Sequence, residues 1–394
     1  MMMRESTRSI QRCPLCGAPA PDPFLVLPVL PVLCNVLWDT EDDARTSPRA
    51  PIELAVCPEC TLIYNLRFDP SRIDYTVQYD NCLHYSKRFV AYAENLANRL
   101  RARYALDGAL VVEVGCGKGD FLRLLCRGGH TRGLGFDPSY EGPAGGPDDA
   151  VQIVPRYYDE NQAIHGGDLL VCRQVLEHIL EPAPFLDRIA RGLGRADVPV
   201  FFEVPNGLYT VRNAFVWDVI YEHPLYYGPV SIARAFARAG YRVEEIREEF
   251  EGQYLGVHAV TGWSGESVET GPDFAGQGPD VADFRSRYTD TLVRWNGELS
   301  RIARESETAV VWGAGSKGIT FLNLVEESSA IQCAVDVSPA KQHRFVSGTG
   351  HEIVAPEELR RVKPDVVFLM NPVYKEEVGD SLRRLDLHAR LICL

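Results

Sequence analysis

Three alternating glycines between an apolar strand and an amphipathic helix constrain this chain more than any other feature. Residues 111–120 read VVEVGCGKGD. Val111, Val112 and Val114 form a buried strand with an acid, Glu113, near its end. Gly115, Gly117 and Gly119 follow, and Phe121, Leu122, Leu124 and Leu125 continue with helical spacing. A strand that breaks through glycines into a helix presents bare backbone N–H groups to a ligand at the positive end of the helix dipole. The spacing E-x-G-x-G-x-G departs from the dinucleotide fingerprint G-x-G-x-x-G. It suits a ligand with a carboxylate and a ribose but no pyrophosphate, and S-adenosylmethionine is that kind of ligand.

The flanking pattern supplies the rest of a nucleoside fold. Residues 85–106 read as an amphipathic helix leading into the strand at 110–114. A second strand, 132–136, closes on Asp137, 22 residues beyond Gly115. An acid at that tip is placed to bond both hydroxyls of a ribose; the alternative for Asp137-Pro138-Ser139 is a capped turn. Further strands are expected at 151–155, 168–172 and 198–204, alternating with helical stretches. That alternation implies a parallel, doubly wound α/β sheet, with its ligands at the carboxyl ends of the strands. Gln174 and His178, just past the fourth strand, are the polar candidates there, Gln174 on the cofactor side and His178 towards the chemistry. A hydrogen-bonded structural role is the alternative for each.

Two C-x-x-C pairs stand at the front, Cys13/Cys16 and Cys57/Cys60, with 40 residues between them. Each pair can turn both thiolates onto one cation, and four thiolates complete a tetrahedral zinc site with no open position. The zinc is therefore expected to be structural, and the intervening segment must form its own loop or hairpin. Two unrelated pairs of reduced thiols are the alternative. Cys34, between the knuckles, reads as a buried free thiol.

The formal net charge is -13, which speaks against a broad nucleic-acid surface. No apolar run reaches the ~20 residues that span a bilayer, and the first residues lack the apolar core of a signal peptide. With eleven cysteines and no export signal, a cytoplasmic setting with reduced thiols or metal is expected.

Residues 217–227, WDVIYEHPLYY, set Glu222 beside His223 among three tyrosines. A glutamate beside a histidine can serve as a tuned general base, and tyrosine hydroxyls can stabilise an oxyanion. An aromatic lid with one satisfied histidine is the alternative. Residues 231–240 then read as a helix, and 241–245 and 255–260 as late strands. A Gly-, Ser- and Pro-rich linker at 263–282 precedes a helix at 284–304. A strand at 309–312 then enters Gly313-Ala314-Gly315-Ser316-Lys317-Gly318, a true G-x-G-x-x-G. Asp336 ends the next strand, 23 residues after Gly313. This unit reads as a second, smaller nucleotide-type fold, whether an independent NAD site, a grip on part of the substrate, or a packing turn.

Together these features resemble the sugar C-methyltransferases that act on nucleotide-linked deoxysugars. The resemblance covers nearly the whole chain, in the same order. It rests on the two knuckles, the tyrosine-rich stretch 75–85, the EVGCGKG loop, VLEHI at 175–179, the Glu222-His223 pair, GAGSKG, the Asp336-x-Ser338-Pro339-x-Lys341 element and Asn371-Pro372-Val373-Tyr374. It implies a zinc-binding domain at 1–74, a class I methyltransferase domain at 75–262, a linker at 263–282 and a Rossmann-like domain at 283–394. It also implies S-adenosylmethionine held by Glu113, Gly115, Gly117, Gly119, Asp137 and Gln174, with structural Zn2+ on Cys13, Cys16, Cys57 and Cys60. The family's catalytic loop reads Tyr-His-Glu-His; here those positions hold Ile220, Tyr221, Glu222 and His223. The resemblance makes His223 the base that removes a proton alpha to a keto group and Glu222 its orienting partner. Tyr221 or Tyr79 is then the oxyanion donor, with His178 close by. The variant loop keeps open methyl transfer to oxygen or nitrogen of a natural product or glycan, and a non-catalytic nucleoside-binding protein is a further alternative.

Overall fold

The computed structural model describes residues 10–73, 79–80, 82–143, 146, 149–158, 167–262 and 280–394. Most of the expected linker and much of the tyrosine-rich stretch lie outside the described residues.

The N-terminal part is a small antiparallel unit: β1 (Leu25–Pro31), α1 (Glu41–Arg45), β2 (Arg49–Val56) and β3 (Ile63–Asn65). β1 pairs with β2 and β2 with β3, so the segment between the knuckles forms its own sheet. Leu25, Leu27, Ile52 and Leu54 turn inward, following the period of two along each strand.

The middle part opens with α2 (Lys87–Tyr104), which buries Phe89, Ala93, Leu96, Ala97 and Leu100 along one stripe. Ser86 caps it by accepting from the Phe89 N–H, and Ala105 ends it in the left-handed region at φ 47°. There follow β4 (Leu110–Val114), α3 (Asp120–Cys126), β5 (Arg132–Phe136), β6 (Val151–Val154), β7 (Leu169–Arg173), α4 (Pro182–Leu193), β8 (Pro199–Pro205) and α5 (Gly207–Arg212). The part closes with β9 (Leu225–Tyr226), α6 (Pro229–Arg238), β10 (Arg242–Glu249) and β11 (Tyr254–Val260). Seven strands form one sheet in the order β10-β11-β8-β7-β4-β5-β6. β4 to β8 are mutually parallel, whereas β11 runs against β8 and β10 against β11. β7 and most of β4 and β8 are buried on both faces, and apolar apart from Glu113, Arg173 and Glu203, because helices cover both sides.

The third part holds α7 (Val281–Glu305), β12 (Ala309–Trp312), α8 (Ser316–Leu324), β13 (Ile331–Val335), β14 (Ile353–Val354), α9 (Leu359–Val362), β15 (Val366–Leu369), α10 (Lys375–Arg384) and β16 (Arg390–Cys393). Its five strands are all parallel, in the order β14-β13-β12-β15-β16.

β9 does not join the seven-stranded sheet. It pairs with β3 and becomes the fourth strand of the N-terminal sheet. One apolar core then runs from Leu27 and Ile52 through Trp217 and Tyr221 to Val311, Phe321 and Phe368. The segment between α5 and β9 is thus clamped between the first and third parts, with Trp217 edge-on against Phe321 at 4.9 Å.

Candidate active site

The site begins where β4 ends. Gly115, Gly117 and Gly119 all lie at positive φ, +72°, +53° and +78°. A β-carbon at Gly115 would run into Val175, and one at Gly119 into Ile153. Gly115 and Gly119 therefore leave no room for a side chain, whereas at Gly117 the space is open and only the positive φ favours glycine. Glu113 is 2% exposed, and its Oε2 has no hydrogen-bond partner among the described residues. Burial pushes its carboxyl up to about 8. A buried, unpaired acid behind a glycine cradle fits a ligand that carries an ammonium or hydroxyl donor.

Asp137 stands at the tip of β5, where the sequence places it. Its carboxylate accepts from Gly117 N–H at 2.8 Å and from the Ser139 N–H and hydroxyl at 2.9 and 2.6 Å. The capped turn is thus present, and the same group is tied to the glycine loop. Gln174 lies beyond β7 at φ +55°, held through its backbone N–H and its Nε2 on Glu203. A non-glycine residue at such a φ is strained, and such residues gather at ligand-facing positions.

A cleft opens between the three parts. Asn35 and Tyr79 line it from the first, and Gln174, Glu177, His178, Ile220, Glu222, His223 and Tyr226 from the second. Residues 313 and 315–318 of the third part's glycine loop line it too, with Asp336, Lys341 and Asn371. The structure therefore brings His178, Glu222, His223 and Tyr79 together. Glu222 is buried and accepts from the Cys34 backbone N–H and from the Tyr79 hydroxyl. Burial pushes its carboxyl up to about 7. Glu222 does not orient His223, contrary to the expectation from their adjacency: both its oxygens are engaged on the N-terminal side. His178 presents Nδ1 to the Glu222 carbonyl oxygen at 3.0 Å, and its ring meets His223 edge-on at 4.7 Å. Burial lowers both imidazoles, His178 to about 4 and His223 well below its ordinary value, so both rest neutral.

Tyr221 corrects a second expectation. Its hydroxyl accepts from the Asp69 N–H at 2.8 Å and donates to the Arg67 carbonyl at 3.3 Å, and the residue does not line the cleft. It is a strut between the segment preceding β9 and the stretch just beyond β3.

The glycine loop of the third part faces the same cleft. Ala314 N–H donates to Asp336 at 3.0 Å, and Lys317 pairs with Asp218 across the cleft. Lys341 is buried and donates to Asn35 and to the Ala314 carbonyl, both at 3.2 Å. Asp80, 4% exposed, joins all three parts: it holds Lys118 of the first glycine loop at 2.9 Å and the Ser338 hydroxyl at 3.0 Å. Sequence reasoning missed Glu177, Asp80 and Asn35. Only Glu177 left a signal, as the acid preceding His178.

Away from the cleft, the four knuckle cysteines converge. Their sulfurs lie within 4.8 Å of one another, Cys13 to Cys60 at 3.5 Å and Cys16 to Cys57 at 3.4 Å, without a disulfide. A zinc–thiolate tetrahedron has sulfur–sulfur edges of about 3.8 Å, so the donor set fits that ion.

Residues 85–246 match a family described as a methyltransferase domain, and residues 279–392 match one described as a C-methyltransferase C-terminal domain. No curated protein matches the chain. Similar solved structures include an S-adenosylmethionine-dependent methyltransferase from Mesorhizobium loti (18% identity, TM-score 0.34, covering 43% of this chain and 97% of that one). Another, from Aquifex aeolicus, has 16% identity and a TM-score of 0.35, covering 49% and 98%. The magnesium protoporphyrin IX methyltransferase of Synechocystis, with bound S-adenosylhomocysteine, has 18% identity and a TM-score of 0.33, covering 44% and 84%.

Proposed function

We propose that the chain is an S-adenosylmethionine-dependent methyltransferase, a reading its two matched methyltransferase-type domains support, and that it methylates a carbon of a nucleotide-linked ketodeoxysugar. One observation carries this reading. A single cleft is lined both by the buried Glu222 with the half-buried His178, His223 and Tyr79, and by a second glycine loop with two lysines. The first suits proton removal beside a carbonyl. The second suits the phosphates of a nucleotide, which need backbone N–H groups at a helix start together with cationic side chains.

In this reading Glu113, the loop glycines, Asp137 and Gln174 hold the cofactor, which supplies an electrophilic methyl carbon on a sulfonium. His223, neutral because it is buried, removes the proton alpha to the keto group. Tyr79, whose hydroxyl donates to Glu222 in this structure, serves the developing enolate oxygen by turning that one proton from Glu222 to it. The four cysteines hold structural zinc. Ile220, where the resembled family has tyrosine, lines the cleft without a hydroxyl.

Methyl transfer from labelled cofactor to a panel of nucleotide-sugars, with deuterium exchange from solvent, tests this. Exchange at the carbon beside the keto group is expected. Methyl transfer without exchange moves the reaction to oxygen or nitrogen, and neither signal from any acceptor removes the substrate assignment. His223→Asn is expected to abolish exchange and transfer while S-adenosylhomocysteine still binds within about threefold of the parent by calorimetry.

A further inference from the structure

Both oxygens of Glu222 are committed to Cys34 and Tyr79, so the carboxylate beside His223 must come from elsewhere. It is Glu177. A Glu177 oxygen, a His178 nitrogen and a His223 nitrogen all lie within 4.8 Å of one another. Glu177 is 2% exposed, lines the cleft and keeps its Oε2 without a hydrogen-bond partner among the described residues. Unpaired buried polar atoms are uncommon in folded proteins and point to a use. The one-turn 3-10 segment Leu176–His178 fixes its place directly beyond β7, at the carboxyl edge of the sheet.

We propose that Glu177 is the positioning residue for His223. The two groups do not hydrogen-bond in this structure; in the loaded site Glu177 closes on His223, accepts from the imidazole N–H turned away from the acceptor, fixes the tautomer, and balances the charge the ring gains when its other nitrogen takes a proton. This rests on His223 being the base. The step is one proton transfer: the alpha C–H bond of the acceptor breaks, the proton passes to His223, and the electron pair stays on the acceptor as an enolate. A carboxylate behind an imidazole matters most where water is excluded, since the ion pair is then little screened. Burial pushes Glu177 up to about 8, and a hydrogen bond donated by His223 favours its ionised form.

The test uses the full, zinc-loaded chain with 15N-labelled histidine and saturating S-adenosylhomocysteine. Its readout needs no acceptor, so its failure is distinct from failure of the nucleotide-sugar assay. His223 signals, assigned by their loss in His223→Asn, are expected to report one fixed tautomer. Glu177→Gln is expected to collapse them to exchange-averaged positions, whereas Glu177→Asp restores the fixed tautomer. Unchanged His223 signals in Glu177→Gln overturn the proposal. Should that variant not fold, the carboxyl 13C signal of Glu177 decides: His223→Phe is expected to raise its midpoint by about one pH unit, and an unmoved midpoint overturns the proposal. Titrated Mn2+ is expected to leave both histidines sharp. Broadening of His178 and His223 at one equivalent instead makes the trio a cation site and overturns the positioning role.

Discussion

Among the described residues, burial holds three carboxyls above their ordinary range: Glu113 and Glu177 at about 8, Glu222 at about 7. Their sign for stability is the same. The unfolded chain releases each proton near the ordinary glutamate value of about 4.3, and the folded chain only near its raised value. Between those limits the folded state binds more protons, so stability falls as pH rises. For Glu113 the span corresponds to on the order of 4 kcal/mol. Glu113→Gln removes that ionisation. The ligand-free variant is expected to lose less thermal stability than the parent between pH 5 and pH 8, measured by calorimetry, and to bind S-adenosylhomocysteine more weakly. Equal slopes for the two proteins would reject the burial argument. At this scale the sequence showed Glu113, His178 and His223 by residue type and place. It could not show that Glu222 turns away from His223, because hydrogen-bond partners 143 and 188 residues distant decide that.

At the scale of elements, the strand–glycine–helix unit is local and was legible. β4, β5, β12 and β13 stand where periodicity placed them, since a buried parallel strand reads as a continuous apolar run. Gly115→Ala combines a φ of +72° with a clash against Val175. Affinity for S-adenosylhomocysteine is expected to fall at least about tenfold, or about 1.4 kcal/mol, by titration calorimetry, with the fold kept. The two-residue strand β9 was not legible. A strand so short carries no pattern, and it exists only because β3 offers an open edge.

The whole molecule is held by connections that cross its parts. The second knuckle, Cys57 to Cys60, directly precedes β3; β3 pairs with β9; β9 follows Glu222 and His223. A metal held at the knuckles would therefore brace the segment between α5 and β9 from a distance. Cys57→Ser is expected to abolish the bound zinc, measured by atomic emission. It should lower the melting temperature and reduce methyl transfer far more than S-adenosylhomocysteine binding. Equal losses of transfer and binding would break that chain of support. Asp80 plays the corresponding part between the first glycine loop and the turn that follows β13. Asp80→Asn leaves Lys118 and Ser338 with a neutral partner, and a loss of about 1–3 kcal/mol in denaturant unfolding is expected.

The sequence by itself determined the two glycine-loop sheets, the converging cysteine pairs and the acid at the tip of β5. Each depends on backbone preference or on spacing within some tens of residues, which near-neighbour chemistry dictates. Only the tertiary structure decided that Glu222 is engaged by Cys34 and Tyr79, that Tyr221 bonds to the stretch beyond β3, and that the third part's glycine loop opens on the cleft lined by His178 and His223. Those outcomes turn on which distant strand edge or apolar face covers the segment between α5 and β9, and that competition is settled by packing across the three parts.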